Sequence, residues 1–239
     1  MNARKARGAQ GAIASAAAFC ALATSPAAAA APEVKQLIAF RDGTTMQKAV
    51  RAPATTVSVG SRRCAVADGT ALSALLRSRP GKIGLTDFGA CTRRGRDGGG
   101  LFVKAIRAER NRGSDGWTYK VGTRAATAGA ADPSGAFGNG RLRGGQRVTW
   151  FYCRLRGGSC QRTLRLTFLR RGDGVVASVK GYDDQGRAVP VAGAEVAGGG
   201  LRLTTDASGR TPVFTASGQA LRARKRGLVA SFSERAPVP

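Results

Sequence analysis

The 239-residue chain contains no histidine. Without it there is no ordinary general base near neutral pH, and no Ser-His or Cys-His nucleophile pair. No Gly-x-Ser-x-Gly or P-loop pattern is present. Gly135 to Gly140 carries three glycines in the wrong order for a dinucleotide fingerprint, and Asn139-Gly140 reads as a hairpin turn. Acidic residues at Asp183-Asp184 and around Asp115 read as ordinary turn residues, and Asp183, Asp184 or Asp206 could offer oxygen atoms to calcium but lack the dense ligand spacing of a calcium loop. The residues thus predict a non-enzymatic protein with no catalytic residue, no cofactor and no metal centre.

The cysteines carry a different chemistry. Cys20 falls in an N-terminal segment laid out as a secretory signal peptide over residues 1–31. Arg4, Lys5 and Arg7 form its basic start, Ala12 to Ala23 an apolar run, and Pro26 with Ala27 to Ala31 a cleavage region. No later apolar run reaches the ~20 residues of a membrane span, so none is expected after removal of the signal. Cys64, Cys91, Cys153 and Cys160 remain, an even set that favours disulfides in an exported chain. Cys153 ends one alternating run and Cys160 opens the next, with a Gly-rich hairpin loop between them. That geometry pairs Cys153 with Cys160 and leaves Cys64 for Cys91. Zinc, the rival, lacks both a C-x-x-C spacing and histidine.

Charge and aromatics supply the remaining candidates. The chain has 39 Lys and Arg against 14 Asp and Glu, a formal net charge of +25, from which signal removal takes three positive residues. Such a field attracts nucleic acid, anionic lipid or anionic wall polymers. The arginines are scattered, which reads more as generic basicity than as a dedicated site. A polyanion site would draw on Arg222, Arg224 and Arg226, on one side of a strand, with Arg154 and Arg156. Trp117 and Tyr119 alternate along one run, and Trp150 and Tyr152 along another. These four are candidate ligand contacts. The same alternation describes the inner face of a sheet, where aromatics bury large areas.

Elements that would position these residues follow from pattern. Val34 to Phe40 and Thr55 to Val59 read as strands. Asp68-Gly69-Thr70 offers a cap for a helix whose stripe is Leu72, Leu75 and Leu76, stopped by Pro80-Gly81. Leu101 to Ile106, Gly116 to Val121, Gly145 to Cys153 and Leu164 to Phe168 read as further strands. Arg170-Arg171-Gly172-Asp173-Gly174 is the expected domain boundary. Beyond it, short strands alternate with turns: Val175 to Tyr182, Leu201 to Thr205, Thr211 to Thr215 and Leu221 to Lys225.

Gly116-Trp117-Thr118-Tyr119-Lys120-Val121-Gly122 and Gly145 to Cys153 resemble the paired strands of the transcobalamin C-terminal-like family, over residues 35–168. The resemblance implies a β-rich extracellular module whose sheet could close over a corrinoid. The family's helical partner domain is missing here, and Val121-Gly122-Thr123 replaces the family's Val-Asn-Gly turn. Pro190 to Val196 and Thr205 to Arg210 resemble bacterial Ig-like and carboxypeptidase-regulatory-like domains, which space or present other modules. The expectation is an α+β, β-grasp-like domain over 32–170 followed by a small all-β Ig-like sandwich over 171–239. The protein would be secreted or at the cell surface, binding or presenting at the envelope. Its partner would be an envelope protein or an anionic polymer, with a corrinoid as the small-molecule alternative.

Overall fold

A computed structural model describes residues 30–238. The signal-peptide reading, with Cys20, falls on 1–31 and so lies almost wholly outside the described residues. Strand β1 (Glu33–Ala39) turns into β2 (Thr45–Arg51). Asp42 sets that turn, its Oδ1 accepting from the Thr44 amide at 2.8 Å and hydroxyl at 2.7 Å, with Gly43 in the left-handed region. A hairpin of β3 (Thr55–Val59) and β4 (Arg62–Val66) follows. Helix α1 (Ala71–Ser78) begins where the Thr70 hydroxyl accepts from the Ser73 amide, and ends at Arg79 in the left-handed region ahead of Pro80. Then come β5 (Ile83–Asp87), a 3-10 turn (Gly95–Gly100), β6 (Leu101–Ile106), β7 (Glu109–Arg110), β8 (Gly116–Val121), β9 (Arg124–Ala125) and β10 (Arg147–Cys153). The remaining strands are β11 (Thr163–Arg171), β12 (Gly174–Tyr182), β13 (Ala188–Pro190), β14 (Glu195–Gly198), β15 (Leu201–Thr204), β16 (Ala220–Arg224) and β17 (Glu234–Arg235).

The central sheet runs β2-β1-β10-β8-β9, and within it β1 lies parallel to β10. Strand β10 is covered on both sides, so its sequence is almost continuously apolar and aromatic instead of alternating. Trp150 and Tyr152 face one core, with Leu72 and Leu75 of α1, Leu101 and Ile106. Phe151 and Cys153 face a smaller cluster with Ala39 and Val229. A third cluster, built on Leu164, Leu166, Val179, Val196 and Leu221, fills the C-terminal part. Residues 171–174 form the tight turn that folds β11 back onto β12.

One buried cation joins the two parts. Lys120 on β8 points away from the Tyr119 face and is fully buried. Its Nζ donates to the Tyr182 carbonyl at 3.0 Å and the Asp183 carbonyl at 2.9 Å, and pairs with Asp184 Oδ1 at 3.2 Å. The backbone adds a bond from the Ala125 amide to the Asp184 carbonyl at 2.9 Å.

The expected β-grasp-like domain followed by an Ig-like sandwich is not what forms. Among the described residues the protein is mostly β, 45% strand and 7% helical, with its strands divided among five small sheets. An eight-residue helix is about 12 Å long, too short to lie across a sheet as the grasp requires. In the C-terminal part the strands shorten to two to five residues beyond β12. Thr211 to Thr215, expected as a strand, makes only the isolated bridge of Phe214 with Val175. Pro212 has no amide to donate to a ladder, and the left-handed run Gly198-Gly199-Gly200 turns β14 after four residues.

Candidate functional site

Cys64 is bonded to Cys91 and Cys153 to Cys160, the pairing drawn from the strand pattern. Two disulfides suit an oxidising, extracellular environment. No helix among the described residues is long and apolar enough to cross a membrane. Among the described residues, one group of three possible metal ligands lies close together: Cys64, Asp87 and Cys91. Its two sulfurs bond to each other. The Asp87 carboxylate accepts from the Cys91 amide at 3.1 Å and the Gly89 amide at 3.0 Å, and pairs with Arg62 at 3.2 Å. Those amides, Cys91 first, and the guanidinium hold its carboxyl below the usual range despite some burial.

The four aromatic candidates form a ladder across β8 and β10, Tyr119 opposite Trp150 and Trp117 opposite Tyr152. Tyr119 stacks on Trp150 with ring centres 5.0 Å apart, and Trp117 meets Tyr152 edge-on at 6.0 Å. All four are at most 5% exposed. The Trp117 Nε1 donates to the Glu109 carbonyl at 3.0 Å, Tyr119 Oη to the Ala128 carbonyl at 3.0 Å, and Tyr152 Oη to the Arg110 carbonyl at 3.0 Å. Burial pushes the Tyr119 hydroxyl's pKa up. The structure therefore places these rings in the core and leaves no open ring face between them.

The acidic turns are likewise occupied. Asp183 accepts from the amides of Gln185 and Arg187 and from Arg187 Nε at 2.8 Å; Asp206 accepts from the amides of Ser208 and Arg210. Asp115 Oδ1 takes the Leu155 amide at 2.8 Å, and Asp184 Oδ2 the Cys160 amide at 2.9 Å. Each carboxylate caps backbone donors, as such residues do in turns.

What the fold does assemble is a cleft of about 1250 Å³ between the β1–β2 turn, the Cys153–Cys160 hairpin and the end of β16. Arg41 projects from the turn, and Arg154 and Arg156 from the hairpin. Arg222 and Arg224 lie on β16, with Lys225 and Arg226 just beyond. All but Arg222 are exposed. The hairpin arm is closed by its disulfide, so Arg154 and Arg156 ride on a short constrained loop. Cys160, inside the cleft, is held again through its amide by Asp184.

The cleft gathers positive charge from three segments of the chain. Seven cations line it against two carboxylates, Asp42 and Glu195. Asp42 is spent on its own turn, and Glu195 pairs with Arg202 at 2.5 Å, a residue that does not line the cleft. None of the seven cations makes an ion pair within 4.0 Å among the described residues. Arg222 is half-buried and held by neutral oxygens, Thr45 Oγ1 and Gln47 Oε1, while its buried Nε–H has no acceptor. Burial, with Arg224 beside it, pushes its pKa down. A half-buried guanidinium without a counter-charge is a local excess of positive potential that an anion entering the cleft would relieve.

Five of these seven residues were legible as candidates in the sequence: Arg154, Arg156, Arg222, Arg224 and Arg226. Lys225 lies between Arg224 and Arg226 in the sequence. Arg41 gave no signal, because a lone arginine before an Asp-Gly turn looks like any exposed residue. No family model, curated protein or solved structure matches the chain.

Proposed function

We propose that the protein is a non-enzymatic binding protein of the cell envelope that holds an anionic polymer in the cleft between the disulfide hairpin and the end of β16. The observation that carries this reading is the set of seven lining cations with no carboxylate partner, Arg222 half-buried among them. The two disulfides support an exported location. The corrinoid alternative would need an open aromatic face, whereas Trp117, Tyr119, Trp150 and Tyr152 are buried.

The test is a salt titration of binding to a fluorescein-labelled polyphosphate chain, read by anisotropy. If the seven cations each displace one counterion, the log–log slope is about −5, a loss of about 1000-fold in affinity between 50 and 200 mM salt. Affinity that stays flat across that range overturns the proposal.

A further inference from the structure

The chemistry of the bound polymer is inferred from what the cleft offers and what it lacks, and this step rests on reading the cleft as an anion site. Three rings reach its floor or margin, Phe40, Phe151 and Tyr152, all no more than 8% exposed. Two of them already carry a guanidinium: Arg107 lies 4.3 Å over Phe40 and Arg41 lies 4.8 Å over Tyr152. Proteins that hold single-stranded nucleic acid combine a basic groove with exposed rings on which bases stack. This groove has the charge and no ring to stack on.

The identity and origin of the cations narrow the anion further. Six of the seven are arginine, whose planar fork suits the oxygens of carboxylates and phosphates. They arrive from three separate segments, at Arg41, at Arg154 with Arg156, and at Arg222 to Arg226. A carboxylate directs the lone pairs of its two oxygens within one plane. The two non-bridging oxygens of a phosphodiester, on a tetrahedral phosphorus, accept over a wider cone and can meet forks approaching from different walls. The half-buried Arg222, fixed by Thr45 and Gln47 with its Nε–H unpaired, is the inner anchor for one such group. The exposed cations beside it can follow a chain leaving the cleft.

We infer that the cleft takes a linear phosphodiester chain on a saturated backbone, a polyol phosphate, in preference to a nucleic acid or a polyuronate.

The experiment compares fluorescein-labelled poly(glycerol phosphate), oligo(dT) and polygalacturonate, matched in charge count, binding to the oxidised chain at 50 mM salt. Poly(glycerol phosphate) is expected to bind at least about tenfold more tightly than either of the others. Equal affinity for all three, or tightest binding of oligo(dT) or polygalacturonate, overturns the polyol phosphate assignment while leaving a polyanion site. Failure of all three to bind overturns both. Arg154→Ser with Arg156→Ser, on an exposed loop, should cost about tenfold or more for poly(glycerol phosphate). The charge-matched pair Arg63→Ser with Arg165→Ser, outside the cleft, should leave binding unchanged. Equal losses in the two pairs would show that total charge alone is at work and overturn the site.

Discussion

Replacing Lys120 with Met removes the one buried cation that ties β8 to the end of β12. Met retains most of the apolar stem, so the loss is confined to the charge and its three acceptors. The Tyr182 and Asp183 carbonyls, at 3.0 and 2.9 Å, each lose a bond to a charged donor. Asp184 keeps the Cys160 amide on Oδ2, but Oδ1, the oxygen that faces Lys120, is buried and is left without a donor. Breaking one side of a buried pair costs about 3–5 kcal/mol, and the buried Asp184 Oδ1 gives no reason to discount that range. In a unit of this size that lowers Tm by about 6–20 °C, to be read by calorimetry at pH 7. A second readout comes from proton linkage. Burial pushes the Lys120 pKa down, more than Asp184 holds it up. The unfolded chain therefore binds the proton more tightly, and wild-type stability rises with pH between the folded value and the unfolded value of about 10.4. The Met variant has no such rise, so its deficit should widen as pH increases toward 10. A Tm shift below about 2 °C would refute the clamp. A deficit that narrows on going alkaline would refute the claim that burial outweighs the ion pair.

Cys153→Ser with Cys160→Ser should destabilise the protein by about 2.5 kcal/mol on the chain-entropy account, measured by urea unfolding. It should also weaken polyphosphate binding, because the hairpin that carries Arg154 and Arg156 loses its closure; unchanged affinity would show that the arm needs no fixing. Asp42, Asp87, Asp183 and Asp206 all have carboxyl groups held below their ordinary value by hydrogen bonds and neighbouring arginines. The stability they contribute is present above the unfolded value of about 3.9 and lost as pH falls through the folded values. Glu109, raised by burial, works with the opposite sign. The urea midpoint should therefore drop between about pH 4 and pH 2, and a midpoint level across that window would contradict the assignment.

Local structure was readable wherever a residue's neighbours in sequence decide its state. Thr70 and the Leu72-Leu75-Leu76 stripe announced α1, and β-branched and aromatic runs marked β3, β6, β8 and β10. β2 escaped because Thr-Met-Gln-Lys-Ala-Val-Arg has little β-propensity and one buried residue; it is held by pairing with β1. How strands combine depends on partners far along the chain, which is why the grasp and sandwich expectations failed while many strand positions did not. The cleft shows the same division. Arg154 and Arg224 could each be named from sequence, but only folding brings the hairpin, the β1–β2 turn and β16 around one space. The Trp117 and Trp150 rungs illustrate the converse: alternation showed that they share a face, and only the packing of α1 and β6 makes that face interior.

The parallel pairing of β1 with β10 has a kinetic consequence. Lys35 is matched with Arg147, so closing that pair encloses every element from β2 to β9 in one loop. Hairpins such as β3–β4 and β11–β12 can zip locally, but the central sheet cannot close until the chain has been made past Ala39's partner, Phe151. Until then β1, rich in Val34, Leu37 and Ile38, is guarded on one side by β2 and presents an unpaired edge on the other. Loop closure over that length makes this sheet the expected slow element in folding, and the waiting edge of β1 is where a second nascent copy would compete with β10 as concentration rises.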